Sequence, residues 1–534
     1  MPGLNLTRQE AATRAETVTK VHSYRVTLDL TASESVFTST TTVSFDAVAG
    51  SSTFIDAITQ QVHSVTLNGR ELDPAAVSDG VRIQLPDLAE QNELTVVADA
   101  MYTNTGEGLH RFVDPVDDEV YLYTQFEVPD SRRMFAVFEQ PDLKAEFTFV
   151  VTAPKSWTLI SNEPVERREE GAEADVWTFA TTPRISSYIT ALVAGPYSSL
   201  SDQVTSSDGR NISLNIYARR SLMDYLDAEE IFVLTKQGFE FYEQQFGVPY
   251  PFTKYDQLFV PEFNAGAMEN AGCVTILEDY IFRSKTTDAM IERRAITVLH
   301  ELAHMWFGDL VTMKWWNDLW LNESFAEFMS HLSAAENTRF THAWTTFSAM
   351  EKTWAYRQDQ LPSTHPIVAD IKDLHDVQVN FDGITYAKGA SVLRQLVAWV
   401  GQEHFMKALH QYFDKHSWGN ATLADLMAEL EATSGRELRS WSEAWLETAG
   451  VNTLTPSVEV DDEGRIVRIE VIQTAPNEHP TLRPHRMTAG FYDVVDGRLV
   501  RVHGVEFDVD GERTEIPDVA GRPRPLVLLL HDLD

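Results

Sequence analysis

Hydrophobic and polar positions change period twice along the chain. From about residue 20 to 200, apolar residues alternate or cluster in runs of strand length, as in Tyr24–Leu30, Thr41–Phe45, Leu94–Ala98 and Glu146–Val151. These runs are rich in the β-branched and aromatic residues that suit a pleated surface. Asn68-Gly69 separates Val65-Thr66-Leu67 from a polar run, a strong signal for a tight hairpin because both residues tolerate positive φ. Pro154, Pro164, Pro183 and Gly195-Pro196 punctuate the region. From about 221 to 450 the spacing becomes helical. Ile231, Leu234, Phe241 and Tyr242 share one face of a helix that must end before Gly247-Val248-Pro249. Further helical segments cover 290–307, 320–335, 384–400 and 422–432, the last opened by Thr422 as a cap. Beyond about 451, short β runs return (Val458–Val460, Ile466–Val471, Leu526–Leu530) around turns at Glu463-Gly464 and Asp496-Gly497, the pattern of a small β-sandwich. The expected fold class is multidomain α+β, with a β-sheet domain over 1–199, a mostly helical domain over 200–450 and a β-sandwich over 451–534.

Charge and composition narrow the partners. The 534 residues carry 43 basic and 80 acidic side chains, a net charge of −37, which repels nucleic acid and anionic lipid alike. With 43% hydrophobic residues the chain is globular rather than a disordered acidic one. Cys273 is the only cysteine, so neither an intrachain disulfide nor a cysteine-based zinc finger can form, and it reads as a small buried hydrophobe. The opening segment lacks an apolar core and no stretch approaches eighteen apolar residues. The expectation is a soluble, reduced, cytoplasmic monomer with no nucleic-acid or membrane partner.

His300-Glu301-Leu302-Ala303-His304 lies inside the helix expected from about Ala289. Four residues make a little over one helical turn, so both imidazoles leave the same face and can share one metal ion. Glu301 points about 100° away, which suits a carboxylate that polarises a water without ligating the metal. The motif alone also arises by chance. A second helical segment, Trp320-Leu-Asn-Glu-Ser-Phe-Ala-Glu-Phe328, adds Glu323, with eighteen residues between it and His304. Two histidines and one carboxylate with an open fourth position are the ligand set of a catalytic zinc, not of a closed structural one. Asn322 and Glu327 flank Glu323 and are placed to accept the second N–H of the ligating histidines.

Gly266-Ala267-Met268-Glu269-Asn270 followed by this H-E-x-x-H-x18-E pattern resembles the M1 (gluzincin) aminopeptidases, as does the run Trp315-Trp316-Asn317-Asp318-Leu319-Trp320-Leu321-Asn322-Glu323. The resemblance implies a β saddle, a thermolysin-like catalytic domain and a β-sandwich. It implies one zinc per chain on His300, His304 and Glu323, with Glu301 as general base. It further implies that Gly266, Ala267, Met268 and Asn270 line the substrate site and that Glu269 anchors the substrate's free α-amine. Gln125 and Glu127 match the segment reaching in from the first domain, and Tyr386, in Ile384-Thr-Tyr-Ala-Lys-Gly389, matches the tyrosine that hydrogen-bonds the oxyanion. Four departures from the usual pattern stand out, one of them a dipeptide: Asp309 for Asn, Ser324 for Gly, Glu139-Gln140 for Asp-Glu and Ala136 for Pro. Many relatives continue into a long helical domain, whereas this sequence stops after Leu526–Leu530, at Asp534.

The implied activity is removal of single residues from peptides with a free N-terminus, with broad side-chain preference if small Ala265 borders the first pocket. Rival readings are an endopeptidase, an epoxide hydrolase, or a non-catalytic scaffold. The intact ligands, base and tyrosine weigh against the scaffold, and two carboxylates awaiting an ammonium ion weigh against the endopeptidase. Arg132-Arg133 and Arg293-Arg294 read as solvated or ion-paired residues. His22, His63, His110, His365 and His375 read as isolated, and the tryptophans around 306–320 as core.

Overall fold

The computed structural model describes residues 5–531; the outermost residues of the first and third expected domains, 1–4 and 532–534, lie outside the described residues. The first part of the chain builds a mixed eight-stranded sheet. Val18–Asp29 (β1) pairs antiparallel with Val36–Ala47 (β2), which pairs antiparallel with Gln91–Met101 (β3), while Glu146–Pro154 lies parallel to β1. In β2 the residues Phe37, Ser39, Thr41, Val43, Phe45 and Ala47 are buried and those between them only partly so, the period of a strand with one face on a core. The Asn68-Gly69 hairpin turn forms, with φ of 54° and 76°. A four-stranded sheet then sets Val120–Gln125 (β4) between Gly108–Val113 and Leu192–Gly195.

A helix precedes these sheets that the hydrophobic pattern does not announce. Arg8–Thr17 (α1) buries only Ala11 and Arg14, so it has no apolar stripe. A capping box between Thr7 and Glu10 starts it, and Arg14 pairs with buried Asp56 at 2.6 Å.

The helical part opens with a five-stranded sheet containing Lys254–Val260 (β5), Ala267–Met268 (β6) and Cys273–Leu277 (β7), with β6 at the edge. Helical spacing from 221 onward misses these strands. Every residue of β5 is buried, including three polar ones; Lys254 meets Asp256 at 2.7 Å and Gln257 donates to Thr235 at 2.9 Å. A strand covered on both faces does not alternate. The expected helices follow: Ala228–Phe246 (α2), closed by Gly247 at φ 66°; Asp288–His304 (α3); and Trp320–Asn337 (α4). Glu351–Asp359 (α5) is a helix that the spacing does not predict, and the expected 384–400 segment is α-helical over Gly389–Val400 (α6). Helix α4 is buried continuously from Trp320 to Ala334, so it is the central helix of this part rather than a surface one. Trp306, Trp315, Trp316 and Trp320 pack in the same core. Thr422 caps Leu423–Ser434 through a box with Asp425.

Two three-stranded sheets close the fold around their own core of Ile466, Ile469, Val471, Met487, Phe491 and Phe507. The chain is thus an N-terminal β part, a mostly helical part and a C-terminal sandwich. Among the described residues no helix is long and apolar enough to cross a membrane.

Candidate metal centre

Helix α3 starts where the Thr287 side chain accepts from the Met290 amide, and its residues Arg294–His304 are all buried. His300 and His304 sit one turn apart with their Nε2 atoms 3.0 Å from each other. Helix α4 packs beside α3 and brings Glu323 Oε2 to 3.4 Å from each of those nitrogens. Donors bound at 2.0–2.1 Å to one tetrahedral zinc stand about 3.3 Å apart. The three observed separations match that edge length, so the donor set fits zinc in both chemistry and spacing.

The far side of each imidazole is held differently. His300 Nδ1 donates to Glu327 Oε2 at 3.2 Å, and Glu327 also lies 3.5 Å from His331. Burial pushes Glu327 up, but His331 and His300 pull harder and leave its carboxyl at about 2; the contact with His300 is therefore charge-assisted. His304 Nδ1 donates instead to the Phe307 carbonyl at 2.9 Å. Asn322, expected to share this task, does not: its amide donates to the Tyr188 hydroxyl at 3.1 Å. The reason is the turn after α3. Gly308 adopts φ 118°, a conformation that L side chains rarely adopt, and a Cβ there would lie 3.2 Å from Asn322. The chain folds back tightly enough for a backbone carbonyl to reach the ring first.

The other expected site residues converge on the same cleft from separate elements. Edge strand β6 carries Ala267 and Met268, with Glu269 and Asn270 immediately beyond, and the Gly266 carbonyl accepts from the Leu277 amide at 3.0 Å. Asn162 of the β part donates to the Ala271 carbonyl at 2.9 Å, and Gln125 at the end of β4 donates to Met268 Sδ at 3.5 Å. The two parts of the chain are therefore docked at the cleft. One oxygen each of Glu127, Glu269 and Glu323 lie within 4.8 Å of one another, as do ligating atoms of Glu269, Glu301 and His304. Glu127 Oε1, Glu269 Oε1 and Glu301 Oε2 are buried and accept no hydrogen bond from the described residues. Burial, reinforced by Glu269, raises the Glu127 carboxyl well above its ordinary value, and burial raises Glu269 too. Burial lifts Glu301 to about 8 against the pull of His300 and His304. Glu323 is pushed up by burial, yet His304 and His300 bring it down to about 2. Four carboxylates so placed call for positive charge in the cleft.

Tyr386 lies across from His300, with ring centroids 6.0 Å apart and planes inclined by 22°. It sits in a π-helical turn, Ile384–Lys388, that runs directly into α6. Of the four departures, Ser324 touches this turn: its hydroxyl donates to the Thr385 carbonyl at 2.6 Å. Asp309 is fully buried, and burial raises its carboxyl well above the ordinary range. Glu139 accepts from Ser131, Ser187 and the Arg132 amide, and Gln140 from Arg14. Four histidines that read as isolated have carboxylate partners: His22 with Asp46, His63 with Asp99, His110 with Glu262 and His365 with Asp382. Arg294 is buried against Asp227 and Glu230 at 2.8 and 2.9 Å, and Cys273 is buried. Sequence spacing carries no signal for the Phe307 carbonyl or for the groups around Asp382, which meet only through folding.

Two histidines and a glutamate on a packed helix pair, between a β part and a β-sandwich, are the arrangement of a gluzincin metallopeptidase. The family description "Peptidase family M1 domain" matches residues 232–445, and "Peptidase M1 N-terminal domain" matches residues 20–189. The chain belongs to peptidase family M1. It is 59% identical to aminopeptidase N of Streptomyces lividans, over 100% of this chain and 63% of that protein. It is 34% identical to tricorn protease-interacting factor F2 of Thermoplasma acidophilum, covering 78% of this chain and 51% of the relative. It is 35% identical to aminopeptidase 2, mitochondrial, of Saccharomyces cerevisiae, covering 71% and 39%. The chain thus spans between 39 and 63% of the length of these relatives.

Proposed function

We propose that this chain is the catalytic part of a zinc-dependent aminopeptidase that hydrolyses the N-terminal peptide bond of peptides. The observation that carries the reading is the pair of carboxylates, Glu127 and Glu269, each with a buried oxygen that stands free beside the His300–His304–Glu323 cluster. Only a chain terminus brings an ammonium group next to a scissile bond, so a cleft that demands one selects the first bond. The names of the relatives, aminopeptidase N and aminopeptidase 2 among them, agree with this reading.

His300, His304 and Glu323 would hold the zinc. When bound, the ion supplies Lewis acidity, polarising the scissile carbonyl and acidifying water. Glu301 takes the proton of the attacking water on its free Oε2 and later delivers it to the leaving amine. The Tyr386 hydroxyl donates to the oxyanion that develops on the carbonyl oxygen. Edge strand β6 offers unpaired backbone groups to an extended peptide, while Gln125, Gly266, Ala267, Met268 and Asn270 line its path. Exposed Ala265 leaves room beside this strand, which supports a broad preference for the first side chain.

A panel of aminoacyl arylamides tests the reading. Hydrolysis should occur for several residues, disappear after treatment with a chelator and return with stoichiometric zinc. Absence of hydrolysis across the panel with zinc bound would favour the non-catalytic scaffold. Turnover of alanyl substrates alone would remove the broad preference.

A further inference from the structure

The turn that carries Tyr386 is irregular, and its hydrogen bonds show what holds it. Within Ile384–Lys388 the chain forms a single π-helical turn before continuing as α6, a wide geometry that leaves its first amides without helical acceptors. Asp382 supplies them. Its Oδ1 accepts from the Ile384 amide at 2.9 Å and the Thr385 amide at 3.1 Å, and its backbone carbonyl accepts from the Tyr386 amide at 3.1 Å. The other carboxylate oxygen, Oδ2, receives His365 Nε2 at 2.8 Å and the side-chain amide of Gln358, from the end of α5. Gln358 Oε1 in turn accepts from the Gly383 amide at 2.8 Å.

His365 faces an acceptor on both sides, because its Nδ1 lies 2.7 Å from the Pro366 carbonyl. Only an imidazolium can donate from both nitrogens. The geometry is therefore that of a cation fixed to Asp382, with the carboxylate held from one side by His365 and Gln358 and capping the tyrosine turn on the other.

We infer that Asp382 is a positioning residue for Tyr386: its capped, anchored carboxylate sets where the phenol stands relative to His300, and His365 and Gln358 set the carboxylate. This rests on the reading of Tyr386 as the oxyanion donor. A phenol shifted by about 1 Å still binds and packs but can cost on the order of 10²-fold in rate.

The test is a double-mutant cycle on the zinc-loaded protein, read as kcat and KM on an aminoacyl arylamide. Asp382→Ala should lower kcat roughly 10–100-fold with KM and zinc content unchanged. Asp382→Asn keeps a capping oxygen but turns an amide donor towards His365 and Gln358, so it should lower kcat severalfold, less than Asp382→Ala. In a Tyr386→Phe background Asp382→Ala should cause no further loss, because the group it positions is gone. An equal loss in both backgrounds overturns the proposal while leaving the role of Tyr386 intact. An unchanged kcat for Tyr386→Phe alone removes that role, and the proposal with it. Should Asp382→Ala not fold, His365→Ala, which keeps the cap but frees its anchor, should lower kcat severalfold where Tyr386 is intact and not in the Tyr386→Phe background; the same loss in both overturns the proposal.

Discussion

Replacing Glu327 by alanine isolates what holds the first histidine in place. The carboxylate is buried, ionised and 3.2 Å from His300 Nδ1. A hydrogen bond to a charged group contributes roughly 1.5–3 kcal/mol, and partners of this kind change metal affinity by about 10–100-fold. The two scales agree, since 10–100-fold corresponds to about 1.4–2.7 kcal/mol. Glu327→Ala should therefore weaken zinc binding by that factor in a competition titration against a chromophoric chelator. Glu327→Gln should weaken it less, because the amide oxygen can still accept. Asn322→Ala is the control. His304 donates to the Phe307 carbonyl rather than to Asn322, so zinc affinity should change by less than about threefold. Unchanged affinity in Glu327→Ala, or an Asn322→Ala loss as large as that of Glu327→Ala, would refute the assignment of these outer contacts.

Three further outcomes follow from single contacts. Glu301→Gln should keep stoichiometric zinc and lose turnover, because it removes the base and no ligand; loss of zinc as complete as in His300→Ala would merge the two roles. Gly389→Ala should destabilise by roughly 1–3 kcal/mol, since its Cβ would fall 1.9 Å from Ser324 Oγ; thermal melting should show the penalty relieved in a Ser324→Gly background, and additive penalties would disprove the clash. Burial pulls the His365 imidazole down, but the hydrogen-bonded Asp382 outweighs it and leaves the pKa above its ordinary value. The stabilisation is then full below the unfolded value near 6.5 and lost as pH rises through the higher folded value, so His365→Gln should melt with a shallower decline above pH 6.5, and an identical pH profile would contradict the pairing.

Legibility in the sequence followed the range of the interaction. The clustering of the proposed ligands was readable: helical period alone aligns His300 with His304, and the segment of Glu323 itself reads as a helix. Glu269, Gln125, Glu127 and Tyr386 needed resemblance to the family, since nothing in their local spacing says that an edge strand, a sheet end and a distant helix meet at one cleft. The strand at 254–260 was hidden by Lys254, Asp256 and Gln257, whose polarity is satisfied only by partners in the folded chain. Phe307 could not be found by any side-chain rule, because the group that matters is a backbone carbonyl. Asp382, His365 and Gln358 lie up to 24 residues apart in sequence, and their chemistry exists only where α5 passes the tyrosine turn.

The claim on which the rest depends is that the cleft reads a free α-ammonium through Glu127 and Glu269. A buried charge left without its partner costs about 3–5 kcal/mol, roughly 10²–10⁴-fold in kcat/KM. The direct measurement follows one peptide and its N-acetylated form by mass spectrometry with the zinc-loaded protein. The free peptide should lose residues one at a time from its N-terminus, and the acetylated form should remain intact at concentrations where the free one is consumed. Efficient cleavage of the acetylated peptide, at its first bond or at an internal one, would contradict the aminopeptidase reading and favour an endopeptidase.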